Sequence, residues 1–478
     1  MSPVTRVLRS SLLTAVAVAL AGGAAAKTIT VDSDLDVDLT NGLCSLREAI
    51  VAANSDAVYN DCPAGAGPDR IVFAVPLPAT ILLNDHLPTI TESLAIRGPG
   101  FDVFRLDGDH LYRPLDFEPA GGDGWLGVSD LTLVRGHSAP NGTSGGGAAV
   151  DGGTAVFERV HFLDNRAENV GGGLAVIGAR VSIADCFFQD NVAEDPTGGG
   201  GLGTLGGPNT VEIVGSTFAG NRAEAADGNG GALRLSRVVA TVVDSTFSGN
   251  EAGRSGGGIV VASSSSGDTE LTLRHVTITG NTAATSLSIA GIGGGMSVSA
   301  VTGHVFSLSV ENSVIAENVD LSAPFIDDLS CSSSLTGLAV RTPSFIGSNE
   351  GCETVFPAGA PNIHGDLVGT LATPFLPELG GLQNNGGPTP THEPELAGPS
   401  PLIDAGSCPD AAADQRGHGE PSTGARLVDQ PGVPDLPGSD GCDFGAVETG
   451  AVPLADPLIF TDGFEAGHTL AWSSEVEP

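Results

Sequence analysis

One pattern recurs six times along this chain and constrains its fold more than any other feature. An apolar residue, two further residues and an asparagine close the segments HFLDN, FFQDN, TFAGN, TFSGN, TITGN and VIAEN. The asparagines are Asn165, Asn191, Asn221, Asn250, Asn281 and Asn318, spaced 26, 30, 29, 31 and 37 residues apart. Glycine clusters alternate with them, at 145–147, 171–173, 198–201, 230–231, 256–258 and 293–295. Flanking runs such as TVVD and ELTLRH alternate apolar and polar with period two and are too short for helices. A period near 30 residues, built of short strands and fixed turns, is the signature of a parallel β-helix. Each turn then stacks about 4.8 Å above the last. Phe162, Phe188, Phe218, Phe247, Ile278 and Ile315 are expected in one interior column, and the asparagines in a side-chain amide ladder at a turn. The glycines are expected to supply the positive φ of a sharp corner. An antiparallel sandwich would not repeat one pattern in register. The expectation is all-β: a right-handed parallel β-helix solenoid.

Weaker repeats (RIVFAV, ATILLN, SLAIRG, FRLDG) extend the solenoid to 69–345. A β-helix exposes a strand edge at each end, so caps are expected. CSLREAIVAAN fits the first. Ser45 and Glu48 form a capping box, and Leu46, Ala49, Ile50 and Ala53 place one apolar stripe on a short helix. The remaining boundaries are a leader at 1–26, an N-terminal cap at 27–68, a C-terminal cap at 346–448, and a linker with a C-terminal tag at 449–478.

The leader has the three parts of a secretory signal: Arg6 and Arg9, the apolar run 12–20, then Ala24, Ala25 and Ala26 before Lys27. No later stretch is long and apolar enough to span a membrane as a helix. Seven cysteines fit an oxidising compartment. Cys44 with Cys62, Cys331 with Cys352, and Cys408 with Cys442 form three local pairs expected to be disulfides. Cys186 remains as a buried free thiol. The net charge of −37 excludes nucleic acid and anionic lipid as partners. Lys27 is the only lysine in the chain, so no lysine-based mechanism inside the fold is available.

CSLREAIVAAN, followed by LPTITESLAIRGPG and the FxxN and glycine-cluster repeats, resembles the bacterial CSLREA-type parallel β-helix proteins. The repeats are also similar to those of polymorphic outer membrane proteins. Residues 379–448, with LQNNGGPTPTHEPELAGPSPLIDAG, DQRG and CDFGAVE, resemble the choice-of-anchor Q segment. This resemblance spans roughly residues 28–448. It implies a secreted or surface-displayed solenoid of pectin-lyase-like fold. IFTDGFEAGHTLAWS resembles a short C-terminal tag of exported proteobacterial proteins.

The β-helix also hosts polysaccharide lyases and hydrolases, so catalysis has to be weighed. A glycoside hydrolase needs paired carboxylates. Asp327 and Asp328, and the triplet Gly417, His418, Gly419 beside Asp414, Gln415 and Arg416, lack the N-T-D and R-I-K companions of polygalacturonases. A lyase base would have to be arginine: Arg234, Arg237 and Arg274 sit on strand stretches and are expected as exposed positions. Asp32, Asp34, Asp36 and Asp38 alternate but lack a calcium-loop glycine, since Leu39 stands there; a solvated strand face is expected. The serine run 263–266 has no His–Asp pattern to serve it. The expected function is therefore non-catalytic: an adhesin-like or extracellular glycan- and matrix-binding monomer without metal or cofactor. The alternatives are an extracellular polysaccharide lyase or glycoside hydrolase, and a passive surface protein.

Overall fold

The computed structural model describes residues 26–453 except 139–142, 263–266, 287–291, 300–305, 323–324, 332–342, 396–399, 409–412, 420–425, 427, 432 and 437–438. The first 25 residues of the expected leader, the serine run at 263–266 and the segment from 454 onward lie outside the described residues.

Parallel strands wind into a solenoid with three sheets. The widest contains long strands such as Trp125–Val134, Thr154–Leu163, Val238–Ser248 and Thr269–Thr279. A second is built from two-residue strands that follow each asparagine, from Arg166–Ala167 to Val319–Asp320. The third has eight strands, from Leu115–Phe117 to Leu329–Cys331. The register is in step with the repeat: Phe162 pairs with Phe188, Phe188 with Phe218, Phe218 with Phe247, and Phe247 with Ile278. The four phenyl rings stack at 4.3, 4.4 and 5.0 Å with planes within 9° of parallel. Ile278, Ile315 and Ile346 continue the column, all fully buried.

Each long strand bends midway at one residue of positive φ: Asp130, Arg159, Asp185, Gly215, Asp244, His275 and Asn312, with φ from 45° to 62°. Only one is glycine, so the bend carries backbone strain at six turns. The residue after the bend ties one turn to the next. Cys186 N donates to Ser216 Oγ (3.1 Å), Ser216 N to Ser245 Oγ (3.2 Å), and Ser313 N to Ser344 Oγ (3.3 Å). Cys186 belongs to this column; its Sγ accepts from Val160 N at 3.4 Å. It is buried and unbonded to another cysteine, and burial pushes its thiol up.

The asparagines occupy a second corner, each after a residue of positive φ (Asp164, Asp190, Gly220, Gly249, Gly280, Glu317). Each Nδ2 donates to Oδ1 of the next asparagine at 2.8–2.9 Å, from Asn165 through Asn318. The same Nδ2 reaches the carbonyl of the preceding turn, as Asn250 does to Phe218 O (3.0 Å). All six are fully buried. Asn250→Ala would strand the N–H and Nδ2 of Asn221 and the Phe218 carbonyl. We expect a loss of roughly 1–3 kcal/mol, read as a lower urea midpoint.

The glycine clusters have two different causes. Only the leading glycines take positive φ: Gly145, Gly171, Gly198 with Gly199, Gly230, Gly256 and Gly293. The following ones lack space for a side chain. A Cβ on Gly172 would lie 2.4 Å from Val192 O, and one on Gly201 2.8 Å from the Phe218 ring.

The parallel ladder is longer than 69–345. Thr28–Val31 pairs with Asp69–Phe73, and Phe345–Ile346 pairs with Leu367–Val368. Helix α1 (Leu46–Ser55) closes the first turn, with the capping box formed between Ser45 and Glu48. Cys44–Cys62 pins it, Cys331–Cys352 pins the last turns, and Cys408–Cys442 pins the C-terminal segment. At the far end, antiparallel bridges (Gly359 with Val368, Val319–Asp320 with Phe325–Ile326) blunt the edges against chain-to-chain pairing.

Candidate functional site

The segment after Val368 begins against the last turns, where Phe375 N donates to Gly347 O (2.9 Å) and Leu402 and Phe444 pack with Phe345 and Leu367. It then turns back along the flank and covers four successive turns. Gln415 is the wedge. Its Nε2 donates to Thr217 Oγ1 (2.7 Å) and Thr389 Oγ1 (2.9 Å), and its Oε1 accepts from Thr246 Oγ1 (2.6 Å). Ala446 N donates to Thr277 Oγ1 (3.0 Å), and Asn312 Nδ2 to Asp443 O (2.9 Å). A fully buried guanidinium clasps the two parts: Arg426 bonds Asp244 Oδ1 (3.0 Å) on the solenoid, and Glu448 Oε2 (3.4 Å) and Gly445 O in its own segment. Burial, then Asp443, hold the Glu448 carboxyl well above the usual range, and Arg426 opposes them.

The motifs weighed for catalysis contribute bonds to this framework and to the asparagine ladder. Arg416 pairs with Asp414 (2.7 Å) and with Glu393, and Asp414 Oδ1 accepts the N–H of His418 (3.0 Å). His418–Gly419 pairs with Val452–Pro453. Asp328 ends the asparagine ladder: its Oδ1 accepts both the N–H (2.8 Å) and Nδ2 (2.9 Å) of Asn318. Asp327 accepts from Gly293 N (2.9 Å). The three arginines expected at exposed positions are half-buried. Arg234 donates to Thr204 O, Arg237 to Gly207 O, and Arg274 pairs with Glu311, because the side chains lie along neighbouring turns.

The aspartates at 32–38 are not one strand face. Asp32 accepts from Cys44 N (2.7 Å), Asp36 grips Arg47 (2.7 Å), and Asp38 accepts from Asn60 Nδ2 (2.9 Å). Asp404, Asp429 and Asp435 do converge, with oxygens within 4.8 Å of one another, a donor set that suits a hard cation. Asp404 there is pushed up to about 6 by burial and the neighbouring aspartates, and accepts from Gln430 N.

Asp328 also sets a pH dependence. Burial pushes its carboxyl up to about 8, against an ordinary value near 3.9. A raised folded-state pKa stabilises below the unfolded value and is lost as pH rises through the folded one. The urea midpoint is expected to decline between about pH 4 and pH 8, and Asp328→Asn to flatten that decline.

What the docked segment leaves open is the outer stripe of the long face just below it. Thr217, Thr246, Thr277 and Val314 are buried beneath it; in register below Thr217 stand Phe187 and His161, both half-buried. Phe101 stacks on His161 at 4.2 Å, and His161 meets Phe187 edge-on at 5.6 Å. Thr132 Oγ1 fixes the Phe101 loop through its carbonyl (2.6 Å). Burial lowers His161 to about 4, so the ring is neutral, and its Nε2 has no partner. Nothing in the repeat marks this strip, because Phe101 comes from a loop two turns away.

Glu212 is a further polar group buried with one oxygen unpaired. It is 8% exposed on the outer face, and its Oε1 has no partner. Burial alone raises it to about 7. No charged neighbour contributes to that shift.

The repeat itself has a known counterpart. Residues 244–262 match the Chlamydia polymorphic membrane protein repeat. The matched stretch runs from the bend at Asp244 through Phe247, Asn250 and glycines 256–258 to the strand Ile259–Ala262, one pass through the phenyl, asparagine and glycine columns. No curated protein matches the chain. Among the described residues no helix is long and apolar enough to cross a membrane.

Proposed function

We propose that this is an exported, surface-displayed solenoid that binds extracellular glycan, adhesin-like and without catalysis, through the Phe101–His161–Phe187 strip. That half-buried strip is the observation that carries the reading. Aromatic faces bury the apolar face of a sugar ring. The match to a polymorphic membrane protein repeat supports display at a bacterial surface. The −37 charge repels polyuronates, so neutral or amino-sugar glycans are the partners this surface suits. Glycan-array screening of the exported chain, followed by titration calorimetry on the best ligand, tests this. Phe187→Ala is expected to weaken binding about tenfold or more, and an unchanged affinity would move the site elsewhere.

Glu212 favours the second reading, a polysaccharide-active enzyme, since a buried carboxyl near neutrality can act as an acid. Hydrolysis needs a second carboxylate about 5–10 Å away. The Glu212 shift arises from burial with no charged neighbour among its causes. The binding reading is the better supported.

A further inference from the structure

Asp69 opens the strand that pairs with the first strand of the solenoid, and only half of its carboxylate is used. The residue is 2% exposed. Its Oδ1 accepts from Ala66 N (2.9 Å) and from the backbone nitrogen of Lys27 (3.3 Å), whereas its buried Oδ2 has no partner. Space for Oδ2 exists because residue 65 is glycine: a Cβ there would stand 1.9 Å from it. Burial, more than any neighbour, raises the Asp69 carboxyl above the ordinary range. Lys27 is held against it by the ladder, since Arg70 N donates to Lys27 O (2.8 Å), and by Lys27 Nζ on Gly65 O (3.4 Å).

In the uncleaved chain the Lys27 nitrogen is an amide with one hydrogen and no charge. The sequence pattern Ala24-Ala25-Ala26 puts the end of the leader directly before it. We propose that Asp69 is the receptor for the α-ammonium formed at Lys27 when the leader is removed, a proposal that rests on the export reading above. Hydrolysis of the Ala26–Lys27 bond adds the water oxygen to the Ala26 carbonyl and releases the Lys27 nitrogen as an amine, which takes up a proton. The nitrogen gains two N–H donors and a positive charge in place, so the free carboxylate oxygen acquires a donor and the buried charge a counter-ion. Leader removal thereby tightens the first turn.

The first measurement is the N-terminal residue of the exported chain by intact mass and sequencing, expected to be Lys27. A different start would sink the leader reading together with the proposal. The second compares chains starting at Lys27 and at Ala24 by hydrogen exchange of the Thr28–Val31 amides. At pH 6.5 exchange is expected to be about tenfold faster in the extended chain, as one charge-assisted bond is worth that much. The difference should vanish near pH 9, where an α-amine is uncharged, and also in Asp69→Asn. Equal protection in the two wild-type chains at pH 6.5, with Lys27 as the natural start, would overturn the ion pair and leave the leader reading intact.

Discussion

Arg426→Ala is expected to cost about 3–5 kcal/mol of stability, the usual loss when one partner of a buried ion pair is removed. Arg426 is fully buried, Glu448 likewise, and Asp244 nearly so. Alanine would leave the Glu448 carboxyl beside Asp443 without its counter-ion, Asp244 with His275 (3.2 Å) in place of a guanidinium, and the Gly445 carbonyl without its donor. The damage should begin locally. Arg426 joins residues 182 positions apart, so its loss undocks the flank segment before the turns unwind. Limited proteolysis should first cut within 380–450, with the solenoid fragment surviving, and the urea transition should lose its single-step character. A single transition at an unchanged midpoint would show that the clasp adds nothing to the docking.

Phe218→Ala is the counterpart in the core. Phe218 lies between Phe188 at 4.4 Å and Phe247 at 5.0 Å, fully buried. Truncation removes a ring from a continuous column and opens a cavity that backbone-on-backbone glycine packing cannot fill. The expected loss is about 3–5 kcal/mol. Phe218→Leu should cost less than half of that, since the neighbouring turns already accept Ile278 and Ile315 in the same column. Thermal or urea unfolding with near-ultraviolet circular dichroism would check both, and equal effects would argue against a tightly packed stack.

The columns were legible in the sequence because each is local. Phe, Asn and Gly return at nearly fixed offsets, and their side chains meet the same residue one turn away. The hydroxyl column follows the same logic: Cys186, Ser216, Ser245 and Ser313 each stand five residues before an asparagine, so the thiol is a member of a polar column and more than a small hydrophobe. The mid-strand bend was not legible, since Asp, Arg, Gly, His and Asn all serve there and only backbone conformation unites them. The flank docking was not legible either. Gln415 and Thr217 are 198 residues apart, and neither carries a periodic signal that names the other. The later glycines of each cluster are not turn formers; steric exclusion by facing atoms accounts for them. The aromatic strip depends on a loop residue, Phe101, and on where the docked segment stops.

The measurement that bears most directly on this account follows binding and cleavage on one glycan in one vessel. The exported chain, with and without millimolar calcium, is incubated with the polysaccharide it retains best, and with pectate, alginate and chondroitin. Retained and free material is then analysed for chain length, reducing ends and unsaturated-product absorbance. The account predicts that the bound glycan is recovered at its original length and that Phe187→Ala abolishes retention. Shortened product that rises with protein concentration, and disappears in Glu212→Gln while Phe187→Ala still retains glycan, would contradict it and make Glu212 the centre of an enzyme.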